Sequence, residues 1–203
     1  MDLILIVGPQ AVGKMTVGQA LEKKIEARLL FNHETIDLFA RFLGYTRDTF
    51  RLSEVVRYDL FKAFTEHPES NVTQGIIFTV VAGFDADSDW DILRNWSSLF
   101  LGAGGNVFFI ELEADLDVRL KRNKSELRLS MKPSKRDVDF SETELLQSME
   151  KHRLNSFEGE VEAKLPEVSY LKLNTAELSA EVTAGKINDW LIERGYNQTT
   201  HPE

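Results

Sequence analysis

Leu3-Ile4-Leu5-Ile6-Val7, running straight into Gly8-Pro9-Gln10-Ala11-Val12-Gly13-Lys14, is the segment from which the rest of the chain can be placed. Five consecutive apolar residues, several β-branched, predict a short strand buried on both faces. Val17, Ala20, Leu21 and Ile25 then recur at helical spacing. Between strand and helix stands Gly, four residues, Gly, Lys, the pattern of a loop that binds phosphate. Glycines let backbone N–H groups turn inward around phosphate oxygens, and the following helix adds a partial positive charge at its N-terminus. Lys14 is placed to reach between the β- and γ-phosphates. Gly8, Gln10, Ala11, Val12, Gly13, Lys14, Met15 and Thr16 are therefore the expected nucleotide contacts.

The pattern usually continues with Ser or Thr, whose hydroxyl binds Mg²⁺. Here Met15 holds that position and Thr16 follows. One residue along a helix turns a side chain by about 100°, so Thr16 does not simply replace the missing hydroxyl. The expectation is that Thr16 meets the α- or β-phosphate, with the metal held by phosphates, water and an acid from elsewhere; Thr16 and Asp85 are the candidate side chains near the metal.

Working outward, apolar runs at Arg28–Phe31, Gly75–Ala82, Val107–Leu112 and Val168–Leu173 predict four more strands, each separated from the next by helical patterns. Alternation of that kind indicates an α/β fold: a parallel sheet covered by helices on both faces. The 203 residues show no internal repeat and no linker rich in Pro, Gly or Ser, so one domain over 1–203 is expected. The helical stretch at about 34–70 reads as a cap. Ser141 and Glu144 offer a capping box for a later helix, and Ser179 caps the last one.

Ligands of open parallel sheets lie outside the carboxyl ends of the strands. After the second strand this rule selects Asn32, His33 and Asp37, with His33 or Asp37 as a base for the acceptor hydroxyl. After the third it selects Asp85, the expected organiser of Mg²⁺. Eight of the 24 basic side chains fall between Arg119 and Arg136, against one acid, Glu126. This island straddles a helix end and an irregular stretch with Pro133, and reads as a lid at about 123–140. Arg119, Arg122 and Arg128 are its expected phosphate contacts. Arg51 and Arg57, in the cap, are expected either to bind an anionic substrate or to pair with Asp48, Glu54 and Asp59 on the surface.

Composition narrows the function classes. No cysteine is present, which excludes disulfide scaffolds, thiolate metal sites and cysteine nucleophiles. A formal charge of −9 argues against a broad nucleic-acid contact. No apolar run approaches the about 20 residues of a membrane span, and the opening residues lack the cationic start of a signal peptide. The expectation is a cytoplasmic protein handling a small molecule, without nucleic-acid or membrane partners.

On Gly8–Lys14, on Arg119-Leu120-Lys121-Arg122 and on Leu173–Ser179, the sequence resembles the phosphate-loop small-molecule kinases: shikimate, gluconate and adenylate kinases and chloramphenicol phosphotransferase. It is most similar to shikimate-kinase-like proteins that share Phe31-Asn32-His33 and the segment from Lys132 to Asp137. The resemblance covers most of the chain and implies a five-stranded sheet in the order 2-3-1-4-5. It also implies base contacts from Asn174, Thr175 and Ala176, with ATP and Mg²⁺ as cofactors. Shikimate kinases carry Asp-x-Asp after the second strand and three glycines after the third, where this chain has Asn32-His33-Glu34 and Ala82-Gly83-Phe84. The implied activity is ATP-dependent phosphoryl transfer to a small hydroxylated or phosphorylated metabolite other than shikimate. A nucleotide-binding sensor without transfer activity and a nucleoside monophosphate kinase are the alternatives.

Overall fold

A computed structural model describes residues 1–125 and 137–196. Strands β1 (Asp2–Val7), β2 (Ala27–Phe31), β3 (Gly75–Val80), β4 (Asn106–Glu113) and β5 (Ser169–Asn174) form one parallel sheet in the order β2-β3-β1-β4-β5. Both the class and the strand order agree with expectation. The helices are α1 (Lys14–Glu22), α2 (Asn32–Leu43), α3 (Arg47–Glu66), α4 (Asp87–Gly102), α5 (Leu116–Asn123), α6 (Val138–Lys151), α7 (Glu160–Lys164) and α8 (Ala180–Glu193).

Central β1 divides the core. Leu3, Leu5 and Val7 pack with Phe61, Trp96 and Phe100 on one face, while Ile4 and Ile6 pack with Val17, Leu21 and Ile187 on the other. Side chains alternate along a strand, so an all-apolar strand serves two cores at once. Phe61 roots α3 in the first core. Its ring meets Phe78, Trp96 and Phe100 edge-on at centroid distances of 5.5, 5.8 and 5.9 Å. Contacts of this geometry add about 0.5–1.5 kcal/mol each beyond burial. At the carboxyl edge Val7 is level with Val80 of β3 and Glu111 of β4, so the chain leaves β1 between two strand ends.

Local signals mostly hold. Ser179 caps α8, its Oγ accepting from Val182 N at 3.2 Å. The expected capping box at Ser141 is displaced by a turn. Helix α6 starts at Val138 and is capped by Asp137, which accepts from Phe140 N at 3.0 Å. Ser141 is buried inside that helix and donates to Asn123 Oδ1 at 3.1 Å, tying α6 to α5. Arg128, with Lys132, Lys135 and Arg136 of the expected lid, lies outside the described residues, as does the tail 197–203.

Candidate active site

The turn from β1 into α1 uses left-handed backbone three times, at Gly8 (φ 145°), Ala11 (φ 61°) and Gly13 (φ 109°). Among the described residues Ala11 is the one non-glycine with positive φ. Strain of that kind collects where a binding geometry demands it. Gly8 has a second reason to be glycine: a Cβ there would stand 2.3 Å from the carbonyl oxygen of Leu112. The loop is pressed against the end of β4. Lys14 Nζ folds over it, donating to the carbonyls of Gly8 at 2.5 Å and Pro9 at 2.8 Å. Thr16 Oγ1 donates to Gly13 O at 2.9 Å. The first turn of α1 holds no acid of its own to offset the positive pole of the helix.

This loop forms the floor of a cavity of about 710 Å³. Met15, buried at 7% exposure, lines it beside Thr16. Arg122 closes one end and staples two loops together. It donates to Val12 O at 3.0 Å, to Thr175 Oγ1 at 3.1 Å, and to the carbonyls of Thr175 and Ala176 at 2.6 and 3.4 Å. Thr175 also bonds β4, its N–H donating to Glu113 O at 2.8 Å. The wall continues through Leu178, Ser179 and Thr183 at the start of α8. Arg122, expected at the phosphates, thus organises the loop expected to meet the base.

The other end of the cavity is made by the start of α2. His33 and Asp37 lie one turn apart there, with His33 Nδ1 3.6 Å from Asp37 Oδ1. The hydroxyl of Tyr45 donates to the same carboxylate oxygen at 3.1 Å. His33 and Tyr45 both line the cavity. Asn32 lies at the junction with a second hollow of about 230 Å³, which Arg57 also lines. Arg57 is buried, donating through Nε to Thr35 Oγ1 at 2.7 Å and through Nη2 to Asn32 O at 2.8 Å. Burial lowers its pKa to about 10, against the opposing charge of Glu54. Glu34 turns back on its own helix, accepting from Phe31 N at 3.0 Å.

Several expected residues are not brought to the cavity. Asp85 lines neither hollow; its Oδ1 accepts from Arg153 N at 3.0 Å and lies 3.5 Å from His152 Nδ1. Burial pushes its pKa up, but the Arg153 N–H and His152 outweigh that and hold it below the usual value. The turn after β3 carries it toward the segment after α6, which its carboxylate docks. Arg51 lies on the surface beside Asp48, with Nε 3.4 Å from its carboxylate. Asn174 is exposed, and its Oδ1 accepts from Ala176 N at 2.9 Å. Arg119 is buried under the phosphate loop, donating to Gln10 O at 3.4 Å and to Met149 Sδ at 2.7 Å. It supports the loop from behind. Gln10 is tied to α6 as well, donating to Ser148 Oγ at 2.9 Å.

Glu111 stands in a strand-end cluster and Glu144 in a capping pattern, but neither these nor Phe50 carried a site role in the sequence. Glu144 on α6 and Phe50 on α3 line the cavity from elements distant in sequence. Glu111 is fully buried on β4, where it accepts from Asn155 Nδ2 at 2.8 Å, Ser156 N at 2.9 Å and Tyr170 OH at 2.9 Å, with Lys172 Nζ at 3.2 Å. Burial raises its pKa, and these hydrogen bonds more than reverse the effect.

No protein-family model matches the sequence, and none of the curated proteins does. Solved structures do match over nearly the whole chain. A candidate kinase from Chloroflexus aurantiacus superposes with a TM-score of 0.60 at 17% identity, over 95% of this chain and 96% of that one. Shikimate kinase from Acinetobacter baumannii, solved with shikimate, gives 0.54 at 18%, over 97% and 95%. A sugar kinase from a Janibacter species gives 0.54 at 16%, over 98% of both chains. The fold is that of the phosphate-loop kinases. In this kinase fold the cavity sits at the carboxyl edge of the sheet, where parallel α/β proteins bind ligands.

The residues at the cavity fit a nucleoside triphosphate: a loop with left-handed backbone at Gly8, Ala11 and Gly13, a lysine, and a helix with no acid in its first turn. They do not build a divalent-metal site by themselves. Among the described residues there is no group of three or more His, Cys, Asp or Glu that could hold a metal ion. Thr16 supplies the hydroxyl closest in sequence to Lys14, and a methionine thioether is too soft for Mg²⁺.

Proposed function

We propose that this chain is an ATP-dependent phosphotransferase that phosphorylates a hydroxyl group of a small metabolite, with Mg²⁺ entering on the nucleotide. What carries the reading is one cavity that joins the phosphate loop to the His33–Asp37 pair. In phosphoryl transfer the protein mainly positions groups and balances charge. Gly8 to Gly13 hold phosphate oxygens through backbone N–H groups, and Lys14 exchanges its carbonyl contacts for phosphate. Arg122 and Thr175 set the base-side wall. His33, oriented by Asp37, accepts the proton of the acceptor hydroxyl. Mg²⁺ bound with the nucleotide would supply charge neutralisation at the phosphates. The acidic chain has no nucleic-acid or membrane role in this reading, and among the described residues no helix is long and apolar enough to cross a membrane. Such an enzyme would work in the cytoplasm, where ATP is present.

The test is ADP formation from ATP and Mg²⁺ across a panel of hydroxylated metabolites, with Lys14→Ala as control. The variant should fold normally and lose about 1.5–3 kcal/mol of ATP binding, the worth of a charge-assisted contact. A second reading, a nucleotide sensor without transfer, is favoured by one observation: Met15 lines the cavity where a metal-binding hydroxyl is expected. Tight ATP binding with no acceptor-dependent ADP from any member of the panel selects that reading.

A further inference from the structure

Among the described residues Arg119, 3% exposed, has two hydrogen-bond acceptors, and neither is charged: Gln10 O at 3.4 Å and Met149 Sδ at 2.7 Å. Its Nε is buried and finds no partner among the described residues. A thioether is a weak acceptor, and a carbonyl at 3.4 Å is a long contact. The guanidinium under the phosphate loop therefore keeps much of its desolvation cost. Met149 stands in the last turn of α6 and is 37% exposed, so solvent reaches the residue whose sulfur Arg119 holds. Ser148, just before it, accepts from Gln10 Nε2 at 2.9 Å. The end of α6 thus holds Gln10 by two routes, directly through Ser148 and through Arg119 from Met149.

We propose that Met149 is a site of oxidative modification: peroxides convert its thioether to a sulfoxide, which captures Arg119 and weakens nucleotide binding by the phosphate loop. The sulfur lone pair attacks one oxygen of hydrogen peroxide. The S–O bond forms as the O–O bond breaks, sulfur is oxidised by two electrons, and the second oxygen leaves as water. A sulfoxide oxygen is a stronger acceptor than a thioether, and hydrogen bonds from a charged donor are the stronger ones. It competes with Gln10 O for the same guanidinium, and the contact of 3.4 Å is the one to yield. The effect on ATP rests on the phosphate-loop reading above; the modification itself does not.

The full chain is treated with dilute hydrogen peroxide, and each methionine is followed by peptide mass. Met149 should oxidise at least fivefold faster than Met15, which is 7% exposed. ATP affinity by calorimetry should fall at least threefold on oxidation and recover after treatment with methionine sulfoxide reductases of both epimer specificities. Met149→Gln carries an amide acceptor from the start and should show the weaker binding without peroxide. Met149→Leu should lose the response to peroxide, which separates this site from the other methionines. Oxidation of Met149 no faster than of Met15 overturns the proposal, as does ATP affinity that stays the same through both oxidation and Met149→Gln. Rapid, reversible oxidation of Met149 in a chain that binds no ATP in either state leaves the modification standing and counts against the nucleotide reading.

Discussion

His33 Nδ1 faces the carboxylate of Asp37 across one turn of α2, at 3.6 Å, with the Tyr45 hydroxyl bonded to the same oxygen. A carboxylate so placed steadies the cation formed when the ring accepts a proton. Asp37→Asn should therefore lower kcat by about 10- to 100-fold, within the range of general-base effects, and leave ATP affinity unchanged. Steady-state kinetics beside ATP calorimetry decides it. Unchanged kcat would make the pair a structural contact of α2.

Arg122 joins the phosphate loop to the loop after β5 through four acceptors. Arg122→Ala should weaken ADP and ATP to a similar extent, by about 1.5–3 kcal/mol, because the base-side wall loosens for both. An arginine acting on the transferred phosphate would instead lower turnover and spare ADP. Calorimetry with each nucleotide separates the two roles.

Met15 lines the cavity next to Thr16. Met15→Ser supplies an oxygen ligand where Mg²⁺ prefers one, so ATP should bind more tightly with Mg²⁺ and about equally in a chelator. Titrations of both forms with and without the metal make the comparison. Identical Mg²⁺ dependence would show that the metal is already fully held by other ligands.

Glu111 ties β4 to the segment 155–156 and to β5. Its pKa is depressed in the folded chain, so its stabilisation is present above the ordinary carboxylate value of 4.5 and is lost as pH falls below it. Glu111→Gln should lose about 1.5–3 kcal/mol at neutral pH, the worth of hydrogen bonds to a charged group. It should also flatten the loss of stability below about pH 4.5. Denaturant unfolding at pH 7 and at pH 4 measures both effects, and parallel pH profiles would remove Glu111 as the source.

The order of elements and the phosphate loop were legible in the sequence because both are local. Five apolar residues ending in Gly8 can bury two faces in few other ways, and the left-handed turns at Gly8 and Gly13 follow from residues that tolerate them. That His33 and Asp37 meet was legible for the same reason, being one helical turn apart at a strand end. What the local sequence did not contain was the destination of longer side chains. Asp85 follows a buried strand just as a metal-binding acid would, yet Arg153 and His152, over 60 positions later, claim it. Arg57 and Arg51 look alike on one helix. The fold buries the first against Thr35 and leaves the second in water, because only the first faces α2. Arg119 and Arg122 share a helical face, but the loop packed against α5 decides that one supports the cavity from behind and the other walls it. Spacing along the chain sets which groups are available; packing between distant elements sets which of them reach the ligand and which are spent on holding the fold.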